Sequence, residues 1–262
     1  MDEQSPFEII LPDGSVYRTK KEPQKEASVQ GYDPEGKPKR MKFVMKSSCD
    51  RCGECCRRDT PIILKEDIHL LTKGVITEKD IYTIREGERI RSSMDGDVYD
   101  ASMEMIKIRP IFGSFTCLFY DPEVGCTIYE MRPTVCREYE CWSQNITITG
   151  LEHRRLTRQD LFGRIDILWE AIKKHEDKCS LNKFAQAVDE LISGSQESFE
   201  RIVDMILYDS TVRDWIKEKL QIQSDLIPLI FGKTLFEMSP LYGLIIEKEG
   251  ENFIIKVMEE AR

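Results

Sequence analysis

The sequence predicts an α+β protein. Three observations carry this: turn-bounded hairpins near both ends, an irregular cysteine-rich middle, and helical periodicity from about residue 159 onward. The architecture expected is a small irregular cysteine-rich domain with short hairpins, followed by a helical bundle and a terminal β-hairpin. The divisions that follow are residues 1–46 (hairpin and basic arm), 47–145 (cysteine-rich) and 155–262 (helical region with C-terminal hairpin).

Phe7 to Leu11 and Val16-Tyr17 flank Pro12-Asp13-Gly14-Ser15, a turn with fixed φ at Pro12 and tolerated positive φ at Gly14. Residues 20 to 40 are rich in Lys, Glu, Pro and Gly and read as a linker or loose arm. Lys42 to Lys46 alternates and reads as a short strand. Pro61-Ile62-Ile63-Leu64 is expected to be extended. Two short helices should follow, closing near Gly74 and Gly87, the second capped by Thr77 with Asp80. Met105 to Ile111 reads as a strand, and Cys117 to Tyr129 as a hairpin turned at Asp121-Pro122-Glu123-Val124-Gly125.

Leu161, Ile165, Leu168, Trp169 and Ile172 then recur at helical spacing, as do Phe184, Val188, Leu191 and Ile192. Phe199, Ile202, Val203, Ile206 and Leu207 mark a third helix, with a fourth around Val212 to Leu220. These stripes read as bundle core. Leu244 to Glu247 and Phe253 to Met258 read as a closing hairpin.

The formal charge of −9, from 38 basic and 47 acidic residues, argues against nucleic-acid binding. A basic stretch, Lys20, Lys21, Lys25, Lys37, Lys39, Arg40, Lys42 and Lys46, reads as solvated chain. The start, MDEQSPFEII, has no apolar signal region, and the run Leu226 to Phe231 is too short to span a bilayer. A cytoplasmic location is therefore expected, where clustered thiols read as metal ligands rather than disulfides. The sequon Asn145-Ile146-Thr147 carries no meaning there.

Eight of the nine cysteines form two groups: Cys49, Cys52, Cys55 and Cys56, then Cys117, Cys126, Cys136 and Cys141. A tight turn across two intervening residues places both sulfurs on one side of the backbone, with N–H groups aimed at them. Gly53 suits the positive φ of such a turn. C-x2-C-G is half of a structural zinc site. A third cysteine at the same interval gives C-x2-C-x2-C, the opening of a bacterial ferredoxin cluster motif, here followed at once by Cys56. The metal is thus iron or zinc, with an iron–sulfur cluster such as 4Fe-4S favoured and zinc the alternative. His175 and Cys179, four apart, could share a helix face, but a solvated helix end is the favoured reading. Gly232-Lys233-Thr234 lacks the first glycine of a phosphate loop, because Ile227 stands there.

Cys49-x2-Cys52-x2-Cys55-Cys56, with Cys117-Leu-Phe-Tyr, Cys126-Thr-Ile-Tyr and Arg132-Pro133-x2-Cys136-Arg137, resembles the YkgJ-type CxxCxxCC cysteine-cluster family over about residues 44 to 142. The resemblance implies a zinc- or iron-chelating domain with Cys49, Cys52, Cys55, Cys56, Cys117, Cys126 and Cys136 as ligands. Cys141 falls where relatives vary more. Some relatives resemble flagellin lysine methylases, which makes a methyltransferase-related enzyme a third reading. A helix starting at Pro133 would direct Arg132 and Arg137 toward the thiols, with Arg57 and Arg58 flanking the other group; pairing of such arginines with Glu130 or Glu138 is the plainer alternative.

The leading functional expectation is an iron–sulfur protein in electron transfer or cluster handling within a larger assembly. Cys49, Cys52 and Cys55 would hold one cluster with a partner from the second group, and the other thiols would form a second site. The alternative is a structural zinc adaptor presenting a protein-interaction surface. A protein partner is expected in either case; no nucleic-acid partner, membrane span or small-molecule substrate is.

Overall fold

The computed structural model describes residues 8–10, 16–18, 25–32, 34–35, 37–45, 48–92, 96–142, 149–249 and 252–258. The turn at 12–15, Lys20, Lys21, Lys46 and the sequon at 145–147 lie outside these residues.

The expected N-terminal hairpin is present as β1 (Glu8–Ile10) against β2 (Val16–Arg18). The supposed arm is not a linker. β3 (Lys25–Tyr32) pairs with β4 (Pro38–Met45) in unbroken antiparallel register, from Lys25↔Met45 to Tyr32↔Pro38. Its polar composition hid the strand, yet the ladder is built from backbone groups, and Pro34-Glu35 supplies turn chemistry between the two halves.

The cysteine-bearing region starts with α1 (Glu54–Arg58). Pro61 to Leu64 is extended as expected, bridging Ile62 to Lys107 and Leu64 to Arg155. α2 (Ile68–Thr72) ends before Gly74, but the second expected helix is only a 3-10 turn, Glu78–Asp80, which Thr77 and Asp80 do cap. The chain then enters β5 (Ile81–Ile84), a β-branched run that prefers a buried strand. β6 (Arg89–Arg91) and β7 (Val98–Asp100) form a hairpin, and β8 (Met105–Ile108) returns to pair with β5. β9 (Tyr120–Asp121) and β10 (Gly125–Cys126) make the hairpin expected between Cys117 and Tyr129. α3 (Thr134–Glu138) follows. Ile63, Leu70, Ile76, Ile81, Ile106, Ile108, Leu156 and Leu229 form the apolar core of this half, with Cys117 in it and Cys56 packed against it.

α4 (Leu151–Arg154) and α5 (Arg158–Phe162) lead into α6 (Asp166–Lys178), α7 (Leu181–Ile192) and α8 (Gln196–Leu220). The two helices expected from 199 to 220 are one continuous helix. The polar break Tyr208-Asp209-Ser210-Thr211 contains neither Gly nor Pro, and Asp209 turns inward to buried partners instead of ending the helix. α9 (Ile227–Phe231) carries Pro228 in its first turn, where its missing N–H is harmless, and α10 (Leu235–Met238) follows. β11 (Leu244–Glu249) and β12 (Asn252–Val257) close the chain as the expected hairpin. Phe184, Ile202, Leu235 and Leu244 share one core; Leu168, Ile172, Ile216 and Phe231 share another. Among the described residues, no helix is long and apolar enough to cross a membrane.

Candidate metal centre

The backbone of the first cysteine group is set by two left-handed residues. Arg51 has φ 59 and Gly53 φ 75, and a side chain forced there strains the local chain. The Arg51 N–H donates to Cys49 Sγ at 3.4 Å. This is the N–H to sulfur geometry that two-residue spacing is expected to give. Gly53 is required twice over, because a Cβ at this position would collide with the Tyr120 ring. Gly125 admits the loop from the other side: a Cβ there would stand 3.0 Å from the Arg51 carbonyl oxygen.

Hydrogen bonds lock the two groups together. The Cys117 N–H donates to the Cys56 carbonyl at 2.7 Å. Tyr129 donates its hydroxyl to the Cys49 carbonyl at 3.3 Å. Arg57 donates to the Cys52 carbonyl at 3.2 Å and to the Tyr120 hydroxyl at 2.5 Å, while Cys126 sits opposite Tyr120 in the β9–β10 register.

The thiols themselves converge. Cys55 Sγ lies 3.9 Å from Cys56 Sγ. The Cys55–Cys56 hydrogen bond, then burial, push the Cys55 thiol up. Burial pushes Cys117 up to about 11, with Cys126 and Cys55 adding to the effect. Burial, then Cys117, Cys126 and Cys55, raise Cys136 still more. Burial also raises Cys126; Arg132 and Arg51 oppose it, and Cys49 reinforces it. Cys55, Cys117, Cys126 and Cys136 thus sense one another across both groups, with Cys49 beside Cys126 and Cys56 beside Cys55. Cys52, Cys55 and Cys141 are exposed, and all nine cysteines are unbridged thiols. The donor set is soft sulfur throughout, which fits iron or zinc. Among the described residues, no three of these sulfurs lie within 4.8 Å of one another.

Cations crowd the same place: Arg132 bears on Cys126 and Cys136 as expected, joined by Arg51. The guanidiniums of Arg51 and Arg132 each lie 3.9 Å from the Tyr129 ring centroid. Arg51 also pairs with Glu130 at 2.9 Å. Arg57 and Arg58 pair with Glu54, and Glu138 takes Arg154. Pro133 is the cap residue of α3, and the Thr134 N–H that follows is taken by Asp67. Arg137 leans toward Asp67 at 3.8 Å.

A second arrangement was missed. His175 and Cys179 are not on a solvated helix end; both are fully buried, and Asp209 joins them. His175 Nε2 lies 2.6 Å from Asp209 Oδ1, and Arg213 Nε donates to the same oxygen at 2.8 Å. Beside them Arg85 forks onto Glu176 at 2.8 and 2.9 Å, and Arg158 bridges Glu176 to Glu104. Burial would raise Glu176, but Arg85 and Arg158 hold it down to about 2. Burial, with Asp209, pushes Cys179 up to about 12. No spacing rule flags such a network, because its members come from α5, α6, α8 and loops far apart in sequence.

The family model CxxCxxCC, described as "Putative zinc- or iron-chelating domain", matches residues 48–180, just over half of the chain. No curated protein and no solved structure gives a match.

Proposed function

The chain belongs to the CxxCxxCC family of zinc- or iron-chelating domains, and from that premise we propose that it is an iron–sulfur protein serving electron transfer or cluster handling inside a protein assembly. The observation that carries this reading is the convergence of thiols from both groups, with Cys49, Cys52 and Cys55 at the even spacing that opens a cluster motif. Cys49, Cys55, Cys56, Cys117, Cys126 and Cys136 bear on this one place, more thiols than the four that one zinc ion takes.

Cys55, Cys117, Cys126 and Cys136 are the inner ligands in this reading, with Cys49, Cys52 and Cys56 completing the centre and Cys141 at its edge. The group they would hold supplies one-electron chemistry. The chain supplies N–H donors to sulfur, and Arg51 and Arg132 offset the charge of the thiolates. A partner reading is supported by the turn at Ile111 to Leu118, which carries Cys117. Ile111, Phe115 and Leu118 are exposed there, and Phe112 is fully so at 103%. Backbone bonds from Ile111 to Thr116 and from Leu118 to Arg109 hold this turn in place.

Structural zinc is the second reading, favoured by the C-x2-C-G turn with its left-handed Gly53. Oxygen-free purification, with iron, acid-labile sulfide and zinc measured per chain, separates the two. Iron and sulfide in near-equal amounts, lost in Cys52→Ser and Cys126→Ser, are expected. Zinc without sulfide would overturn the electron-transfer reading.

A further inference from the structure

The buried cluster on α6 and α8 has a chemistry of its own, independent of the cysteine centre. One ring nitrogen of His175, Cys179 Sγ and a carboxylate oxygen of Asp209 lie within 4.8 Å of one another. Asp209 is fully engaged: Oδ1 accepts from His175 Nε2 and Arg213 Nε, and Oδ2 accepts from the Leu235 N–H at 3.0 Å. A carboxylate bonded to one imidazole nitrogen fixes the proton there and leaves the lone pair on the other. That other nitrogen, His175 Nδ1, is buried and has no hydrogen-bond partner. Cys179 Sγ makes only a weak bond to the Met205 carbonyl at 3.4 Å. One nitrogen and one sulfur are therefore open to a ligand, within reach of the same orienting carboxylate.

Charge counting selects the ion. Arg85, Arg158 and Arg213 face Glu104, Glu176 and Asp209 through the contacts around the cluster. Three cations meet three anions, so the network is neutral while Cys179 keeps its proton. A divalent ion bound to a Cys179 thiolate would leave one uncompensated positive charge in the interior, which burial strongly disfavours. A monovalent ion replaces the thiol proton with no change in charge. Two protein ligands, both fully buried, also fall short of the four that zinc takes, whereas copper(I), which thiolate suits as well, is held by two.

We propose that His175 Nδ1 and Cys179 Sγ form a buried site for a monovalent soft cation of the copper(I) class, with Asp209 orienting the imidazole. In the exchange Cys179–SH + M+ → Cys179–S–M + H+, the S–H bond breaks, the S–M bond forms, and the proton leaves to solvent. No oxidation state changes.

The test uses the oxygen-free protein as isolated, with copper(I) supplied from a competing chelator. The chain has three histidines, so 15N-imidazole NMR resolves them, with His175→Gln giving the assignment. His175 is expected to show the Nε2–H tautomer, and its Nδ1 resonance is expected to move as copper(I) is added. Cys179→Ser should take one equivalent less copper(I) per chain while its iron and zinc content stays unchanged. An Nδ1 resonance that stays still while other thiols take up copper would overturn the site, and needs no variant. Zinc that moves Nδ1 as copper(I) does would overturn the valence argument.

Discussion

Asp67 and Thr134, sixty-seven positions apart in sequence, are joined by two hydrogen bonds to a single carboxylate oxygen. Thr134 donates its N–H at 2.9 Å and its hydroxyl at 2.7 Å, while the other Asp67 oxygen takes the Leu64 N–H at 3.1 Å. Asp67 is fully buried. It therefore fixes the start of α3, the helix that carries Cys136 into the thiol cluster.

Asp67→Ala strips three donors of their acceptor. A loss of about 2–3 kcal/mol in urea unfolding is expected, together with faster loss of metal to a chelator. Asp67→Asn keeps an acceptor oxygen and should recover much of both.

Gly53→Ala should lower metal content sharply with little change in helical circular dichroism. The left-handed φ of 75 costs an alanine about 1–2 kcal/mol, and its Cβ meets the Tyr120 ring, which must shift away from the Cys52 loop. Full metal loading of this variant would show that Tyr120 is not part of the frame.

Arg158→Met leaves Glu104 and Glu176 facing each other with one fewer cation. Removing one partner from a buried charge network costs about 3–5 kcal/mol. Glu176→Gln combined with Arg158→Met should cost less than the two single changes together, as read from denaturation midpoints.

Acid sensitivity follows from Glu176. Its pKa is depressed from 4.5 to about 2, so the folded state favours its charged form. The stability this supplies is fully present above about 4.5 and is lost as pH falls toward 2. Melting temperature against pH should fall across that window. In Glu176→Gln the fall should be shallower.

The sequence made the cysteine region and the helical stripes legible, because thiol spacing and apolar periodicity are local signals. The strand Lys25–Tyr32 was not legible, since its pairing with β4 is written in backbone hydrogen bonds rather than in apolar side chains. Ile81–Ile84 shows the converse: a cap at Thr77 and Asp80 starts a turn that does not become a helix, because the β-branched run after it pairs with β8. At the centre, Arg51 was passed over as a spacer between Cys49 and Cys52, yet it carries a left-handed φ and stacks on Tyr129. Asp67 and Asp209 gave no signal, because a buried carboxylate is recognisable only once its donors are known.

The balance of three arginines against Glu104, Glu176 and Asp209 also constrains how the chain can diverge. Arg85 and Arg158 answer to carboxylates in other segments, and Arg213 answers to Asp209 one turn away on α8, so drift at one position is tolerated only alongside a matching change at its counterpart. Arg85 with Glu176, Arg158 with Glu104 and Arg213 with Asp209 should therefore be inherited as pairs. A descendant that has lost one member should have lost or replaced its counterpart too.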